Sequence, residues 1–160
     1  MSLLKDSKLE RLARKDPRQI IEKMFFIVDK SGRRVPFMFN EPQSLYYEQM
    51  TARDDILKAR KEGFSSMILA ILTCKFLFVP NSVNACVSHR EEDTKRLFDK
   101  VKYYIDNLPF EVELEQASAS RLRIKEMNSD FFIGTAGSKT FGRGDTIHNL
   151  HLSEFAHYPN

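Results

Sequence analysis

The run MILAILTCKFLF, residues 67–78, constrains this chain more than any other stretch. Wound into a helix it is apolar on nearly every side, so no solvent-facing stripe exists and other elements must enclose it. It is too short to span a bilayer and is interrupted by Lys75, so enclosure has to come from protein. A chain of 160 residues is long enough to supply that cover as one domain with a real core.

The remaining bulk properties narrow the class. Charged residues at 29% and hydrophobic residues at 42% exclude a disordered or fibrous protein. A formal charge of +3 is compatible with a polyanionic partner but falls short of a dedicated nucleic-acid arm. Cys74 and Cys86 stand outside any C-x-x-C pattern and read as buried thiols of a reducing compartment. Met1 to Asp6 lacks the apolar core of a signal peptide, so a soluble intracellular protein without a membrane segment is expected.

Punctuation along the chain predicts an α/β domain with a largely parallel central sheet flanked by helices. Residues 1–24 are charged with interspersed leucines and isoleucines and are divided by Pro17, which predicts a helical segment of two short helices. The domain proper is expected over 25–160. It opens with a β-hairpin, KMFFIVDKSGRRVPFMFN, turning at Asp29, Ser31 and Gly32. Glu41 and Pro42 open a helix, and a short strand is expected around Ile56 and Leu57 before the buried helix. NACVS, residues 84–88, is a buried strand, and HREEDTKRLFDKVKYYIDNLP is a helix with Leu97, Val101, Tyr104, Ile105 and Leu108 inward, stopped by Pro109. Strands are expected at Phe110 to Leu114, Arg121 to Glu126 and Asp130 to Ile133, then a glycine-rich loop, GTAGSKTFGRGDT, and a last strand, Ile147 to Leu152.

The mouth of the buried helix carries the chemistry. LKARKEGFSS, residues 57–66, brings a glycine and two hydroxyl residues to a helix N-terminus, where backbone N–H groups and the helix dipole favour a phosphate. The pattern G-x-x-x-x-G-K-[ST] is not met: with Gly63 as the second glycine, Ser65 takes the hydroxyl position, Phe64 stands where lysine belongs, and Lys58 replaces the first glycine. On its own an ordinary turn into a core helix fits as well. Two further features join it. The strand ending LHLSE resembles a Walker B strand, with Glu154 at the carboxyl edge of the sheet to activate water and Ser153 where a magnesium-holding aspartate is usual. Upstream, Gln43 offers the acceptor and donors that read the edge of adenine.

The order glutamine, phosphate loop, glutamate-terminated strand resembles the large terminase subunit of tailed bacteriophages, the ATP-driven DNA-packaging motor. The resemblance runs from Phe25 to Asn160 and is carried by RRVPFMFNEPQ, LKARKEGFSS, FFIGTAGSKTFGRGDT and LHLSEFAHYPN. It implies a P-loop NTPase fold of RecA-like type, broken off after the Walker B strand, so that the lid and nuclease regions of the family are not expected in this stretch. It further implies an ATPase with ATP and Mg2+ as cofactors. Gln43 would sense adenine, and the loop Lys58, Ala59, Arg60, Lys61, Glu62, Gly63, Phe64, Ser65 and Ser66 would cradle phosphate. Lys58 would supply the phosphate-facing ammonium, Arg60 would stabilise transition-state charge, and Ser65 would hold magnesium with Ser66 behind it. Glu154 would be the catalytic carboxylate, and Ser153 a weak magnesium contact through water.

Implied partners are double-stranded DNA, the portal protein and the small terminase subunit, in a homo-oligomeric ring inside the cytoplasm of an infected bacterial host. Lys61 reads better as a solvated surface charge, and Arg143 either contacts phosphate or a neighbouring subunit or solubilises its loop. His148 and His151 fall on opposite strand faces and join no Cys or carboxylate cluster, so zinc is not expected. Two other readings stand beside this one: a different RecA-like translocase or helicase, which would be expected to keep an Asp-Glu pair and a lysine before the hydroxyl, and a non-hydrolysing DNA- or portal-docking module.

Overall fold

The computed structural model describes residues 2–57, 63–138 and 146–158. A 3-10 turn (Leu3–Lys5) leads into α1 (Ser7–Lys15) and α2 (Arg18–Met24). Asp6 starts α1 by accepting from the amides of Lys8 and Leu9, satisfying N–H groups that a helix leaves without internal partners. The hairpin β1 (Phe26–Val28) and β2 (Arg34–Pro36) is antiparallel, as its turn residues predict. Asp29 Oδ1 accepts from the amides of Ser31 and Arg33, and Gly32 takes the left-handed φ of 76°. Helix α3 (Glu41–Gln49) follows, then α4 (Phe64–Phe78), the apolar helix. β3 (Val83–Ser88), α5 (Glu91–Asp106), β4 (Gln116–Ala117), β5 (Arg121–Ile124), β6 (Ser129–Thr135) and β7 (Asn149–Leu152) complete the order.

Helix α4 is enclosed as its composition demands. Helices α1 and α2 pack on it from one side, the sheet strands β3, β6 and β7 from another, and α5 runs beside it. Met67, Leu69, Ala70, Cys74, Phe76, Leu77 and Phe78 are fully buried, and they share one core with Ile20 and Ile21 of α2, Phe98, Val101 and Tyr104 of α5, and Phe131 and Ile133 of β6. The expected N-terminal helices therefore cover the central helix directly. Cys74 and Cys86 are buried free thiols, and burial pushes the Cys86 thiol up to about 12. Among the described residues no helix is long and apolar enough to cross a membrane.

The sheet departs from the expected topology. Its order is β4-β5-β6-β3-β7, with β3 parallel to both β6 and β7 but β4, β5 and β6 successively antiparallel. It is mixed rather than largely parallel. The reason is connection length: a parallel neighbour needs a crossover, whereas β5 returns into β6 through a tight turn in which Asn128 takes φ 49° and its amide donates to the Lys125 carbonyl. β4 reaches β5 through a similar turn at Ser118, whose hydroxyl accepts from the Arg121 amide.

Two expected strands are absent. Phe110 to Leu114 is irregular, and the pairing with β5 is made instead by Gln116 and Ala117. Ile56 and Leu57 form no strand either. The chain before them is held in a turn by the Asp54 carboxylate, which accepts from the Thr51 amide and from the Tyr46 hydroxyl, and Leu57 is left fully exposed.

One face of the sheet, with Leu122, Ile124, Phe131, Ile133 and Cys86, packs on the helices. The registers set Arg121, Arg123, Asp130, Leu150 and Leu152 on the other face. There the nearly buried Asp130 bridges Arg121 at 2.8 Å and Arg123 at 2.6 Å, across the β5–β6 pair. Replacing Asp130 with Ala leaves two guanidinium groups facing each other without their shared anion. Urea unfolding of Asp130→Ala is expected to show a loss of about 2 kcal/mol, whereas Glu115→Ala, at the solvent end of the same network, should cost under about 1 kcal/mol.

Candidate functional site

Helix α4 and strand β3 run in opposite directions and are joined by the short turn Val79 to Ser82, with Asn81 in the left-handed region. The helix rises about 22 Å over its length, and β3 extends about 20 Å. The first turn of α4 therefore lies at the carboxyl end of β3, and the parallel strands β6 and β7 finish at that same end. Gly63–Ser66 and Ser153–Glu154, far apart in sequence, thus share one edge of the sheet.

The helix mouth is fixed by two side chains from outside it. Gly63 adopts φ 75°, a backbone region that glycine enters without strain. Its carbonyl accepts from the side-chain Nε2 of Gln43 at 2.9 Å as well as from the Met67 amide at 3.1 Å. A Cβ at Gly63 would stand 2.8 Å from Gln43 Nε2, so glycine is required by contact as well as by conformation. Gln43 is only 4% exposed. Its Oε1 accepts from the Asn40 amide at 3.0 Å while Asn40 Oδ1 accepts from the Gln43 amide at 2.9 Å, a reciprocal capping box. The glutamine expected to read adenine is thus found holding the start of α3 to the start of α4. One amide N–H and one lone pair of Oε1 are not used by these bonds.

Phe64, which takes the position where lysine is usual, is buried, its ring edge-on to Tyr46 at 5.6 Å. Ser65 is half-buried, and its hydroxyl makes no hydrogen bond to another described residue. Ser66 is held at both ends: its hydroxyl accepts from Lys100 Nζ at 2.7 Å and its carbonyl from the Tyr104 hydroxyl at 3.1 Å. Burial and, secondarily, the charge of Arg96 push the Lys100 ammonium below the ordinary lysine value. Lys100 was not among the expected site residues. The available signal was its position one turn before Tyr104 on α5, which gives the two the same side of the helix.

At the end of β7, Ser153 is buried and its amide donates to the Val87 carbonyl at 2.8 Å. Glu154 is exposed and occupies the left-handed region at φ 57°, a conformation that costs a non-glycine residue about 1 kcal/mol or more. It ends the strand abruptly and opens a 3-10 turn (Phe155–His157). Tyr158 closes back, its hydroxyl donating to the Val87 carbonyl at 2.6 Å. Near the same edge, the fully buried Ser88 hydroxyl and the Nδ1 of His89 have no hydrogen-bond partner among the described residues, while His89 Nε2 lies 3.5 Å from Asp93.

Gly63, Phe64, Ser65, Ser66 and Gln43 therefore form one contiguous group, with Ser153 and Glu154 at the same sheet edge. Lys58, Ala59, Arg60, Lys61, Glu62 and Arg143 lie outside the described residues. Among the described residues no three His, Cys, Asp or Glu side chains gather closely enough to hold a metal between them. No protein-family model matches the chain, and no curated protein matches it.

The contact between Gly63 and Gln43 is testable through stability. Gly63→Ala is expected to destabilise by about 2 kcal/mol, combining left-handed strain with the clash. Gln43→Ala should cost about 1 kcal/mol through the lost capping box. Because Gln43→Ala also removes the clashing atom, the double variant should be more stable than the sum of the single losses predicts, by about 0.5 kcal/mol or more in chemical denaturation. Strict additivity would show that the two residues do not touch.

Proposed function

We propose that this chain is an ATP-binding and hydrolysing P-loop domain of the terminase type, the motor part that couples ATP hydrolysis to movement of double-stranded DNA. The observation that carries the reading is the shared sheet edge: the glycine-led mouth of the buried helix and the glutamate ending β7 come to the same end of parallel strands. Ligands of open α/β sheets bind at the carboxyl ends of the strands, and the free N–H groups of a helix start suit an anion.

In this reading the amides opening α4 hold phosphate oxygens, with Lys58 and Arg60 adding positive charge from the preceding loop. Ser65, whose hydroxyl makes no bond to another described residue, would offer Mg2+ a hard oxygen donor beside the phosphate oxygens, with Ser153 a weak contact through water. Bound Mg2+ would neutralise phosphate charge. Glu154 accepts the proton of the attacking water, and catalysis rests on positioning and charge stabilisation rather than on a covalent intermediate. Lys100 and Tyr104 keep the Ser66 turn in place for this. Passage of the work to DNA, a portal and a small subunit, and assembly into a ring, belong to the same proposal.

A second reading, a docking module that does not hydrolyse ATP, is favoured by two observations: the Gln43 amide is largely spent inside the protein, and Ser153 is buried. Magnesium-ATP titration separates the two. The parent should bind, Lys58→Ala and Ser65→Ala should each weaken binding about tenfold, and Glu154→Gln should keep binding but lose hydrolysis by about a hundredfold or more. A parent that binds no nucleotide at millimolar concentration, or four proteins that bind and turn over alike, would overturn the assignment.

A further inference from the structure

At the opposite end of the sheet from the proposed nucleotide site lies an open cleft of about 400 Å³, between α1, the last turn of α4 and the starting ends of β3 and β7. Its polar wall is Arg14, Lys75, Asn81, Ser82, His148 and Asn149, and among the described residues no carboxylate lines it. We propose that this cleft is a binding site for a phosphate group.

The donors on its wall carry the inference. Lys75 is half-buried on α4 and has no carboxylate within ion-pair distance among the described residues. Its ammonium spends one N–H on Asn149 Oδ1 at 2.7 Å, and burial pushes it below the ordinary lysine value. The Asn149 amide in turn donates to Asn84 Oδ1 at 3.0 Å, and the Asn84 amide to Ser82 Oγ at 3.1 Å. This relay holds the ammonium in place at the cleft without neutralising it. A half-buried lysine of this kind is costly unless an anion accompanies it.

His148 uses Nδ1 to accept from the Val83 amide at 3.1 Å, so its neutral ring carries the proton on Nε2, the nitrogen left to donate. Arg14 adds a guanidinium that, among the described residues, pairs only with Glu10 on its own helix, at 2.8 Å. The negative end of the α4 dipole, worth about half a charge, opposes an anion here, and Glu10 offsets Arg14, so the full positive charge of Lys75 is what exceeds it. The Lys75 carbonyl at that end already accepts from the Val79 amide and from Ser82 Oγ. A tetrahedral dianion with several acceptor oxygens matches such a ring of donors better than a halide does.

The site is independent of the nucleotide reading and is tested apart from it. Inorganic phosphate is titrated into the 15N-labelled protein against sodium chloride of matched ionic strength, with amide signals of Asn81 and Asn149 followed by NMR. Saturable millimolar binding that chloride does not reproduce is expected, weakened about tenfold in Lys75→Met and about threefold in the exposed Arg14→Gln. Arg14→Gln keeps the test valid if Lys75→Met unfolds. A second titration with a short DNA duplex identifies the source: binding tighter than that of free phosphate supports the site with a nucleic-acid phosphodiester as its ligand, and weaker binding supports it with a small phosphate ligand. Shifts that chloride reproduces, or that both variants retain at full affinity, overturn the proposal.

Discussion

Burial of α4 on nearly every side is the constraint from which the rest of the architecture follows. A helix without a polar face cannot sit on a surface, so two N-terminal helices, a companion helix and a sheet are drawn around it. Its short connection to β3 then forces the two to run in opposite directions, and this alone carries the helix mouth to the carboxyl edge where β6 and β7 also end. The position of the candidate site is a by-product of packing: glycine, hydroxyl and glutamate come to the same edge of the sheet because the helix between them had to be covered.

The polar parts are arranged by the same geometry at both ends of the helix. At its start, Gln43, Lys100 and Tyr104 reach in from α3 and α5 to hold Gly63 and Ser66. At its end, Lys75 reaches out to Asn149 and the asparagine relay. At the start the side chains of neighbouring helices donate to the Gly63 and Ser66 carbonyls and to the Ser66 hydroxyl, and at the end α4's own lysine donates to Asn149, so the helix is tied along its length by packing and at its ends by directed bonds.

Most element positions were legible in the sequence because their signals are local. Asp29, Ser31 and Gly32 mark the hairpin turn, Pro109 follows the end of α5, and the composition of residues 67–78 demands a buried helix. Sheet direction was not legible, since Arg121–Ile124 shows its alternation whether its neighbour is parallel or antiparallel. Only the tight turn at Asn128 decides, and Asn128 entering the left-handed region is weak evidence before pairing is known. The strand expected at Ile56 and Leu57 finds no partner among the described residues, a non-local fact. For the candidate site, the grouping of Gln43 with Gly63 was anticipated from order along the chain, but the work Gln43 does in the fold was not. The capping box was nevertheless readable, as asparagine and glutamine stand three residues apart at Asn40 and Gln43.

Among the described residues strand β7 pairs on one side only, and it pairs with a strand some distance back along the chain, Ala85 meeting Leu150. Closing so long a loop carries an entropic cost that the hairpin β5–β6 does not pay. That cost weighs against the docking of β7, whose amides are expected to exchange faster than those of β6. Glu154 travels with it. The edge of the sheet that holds both halves of the candidate site is then complete only while this edge strand is docked, and amide exchange in β7 would report that occupancy in time rather than in structure.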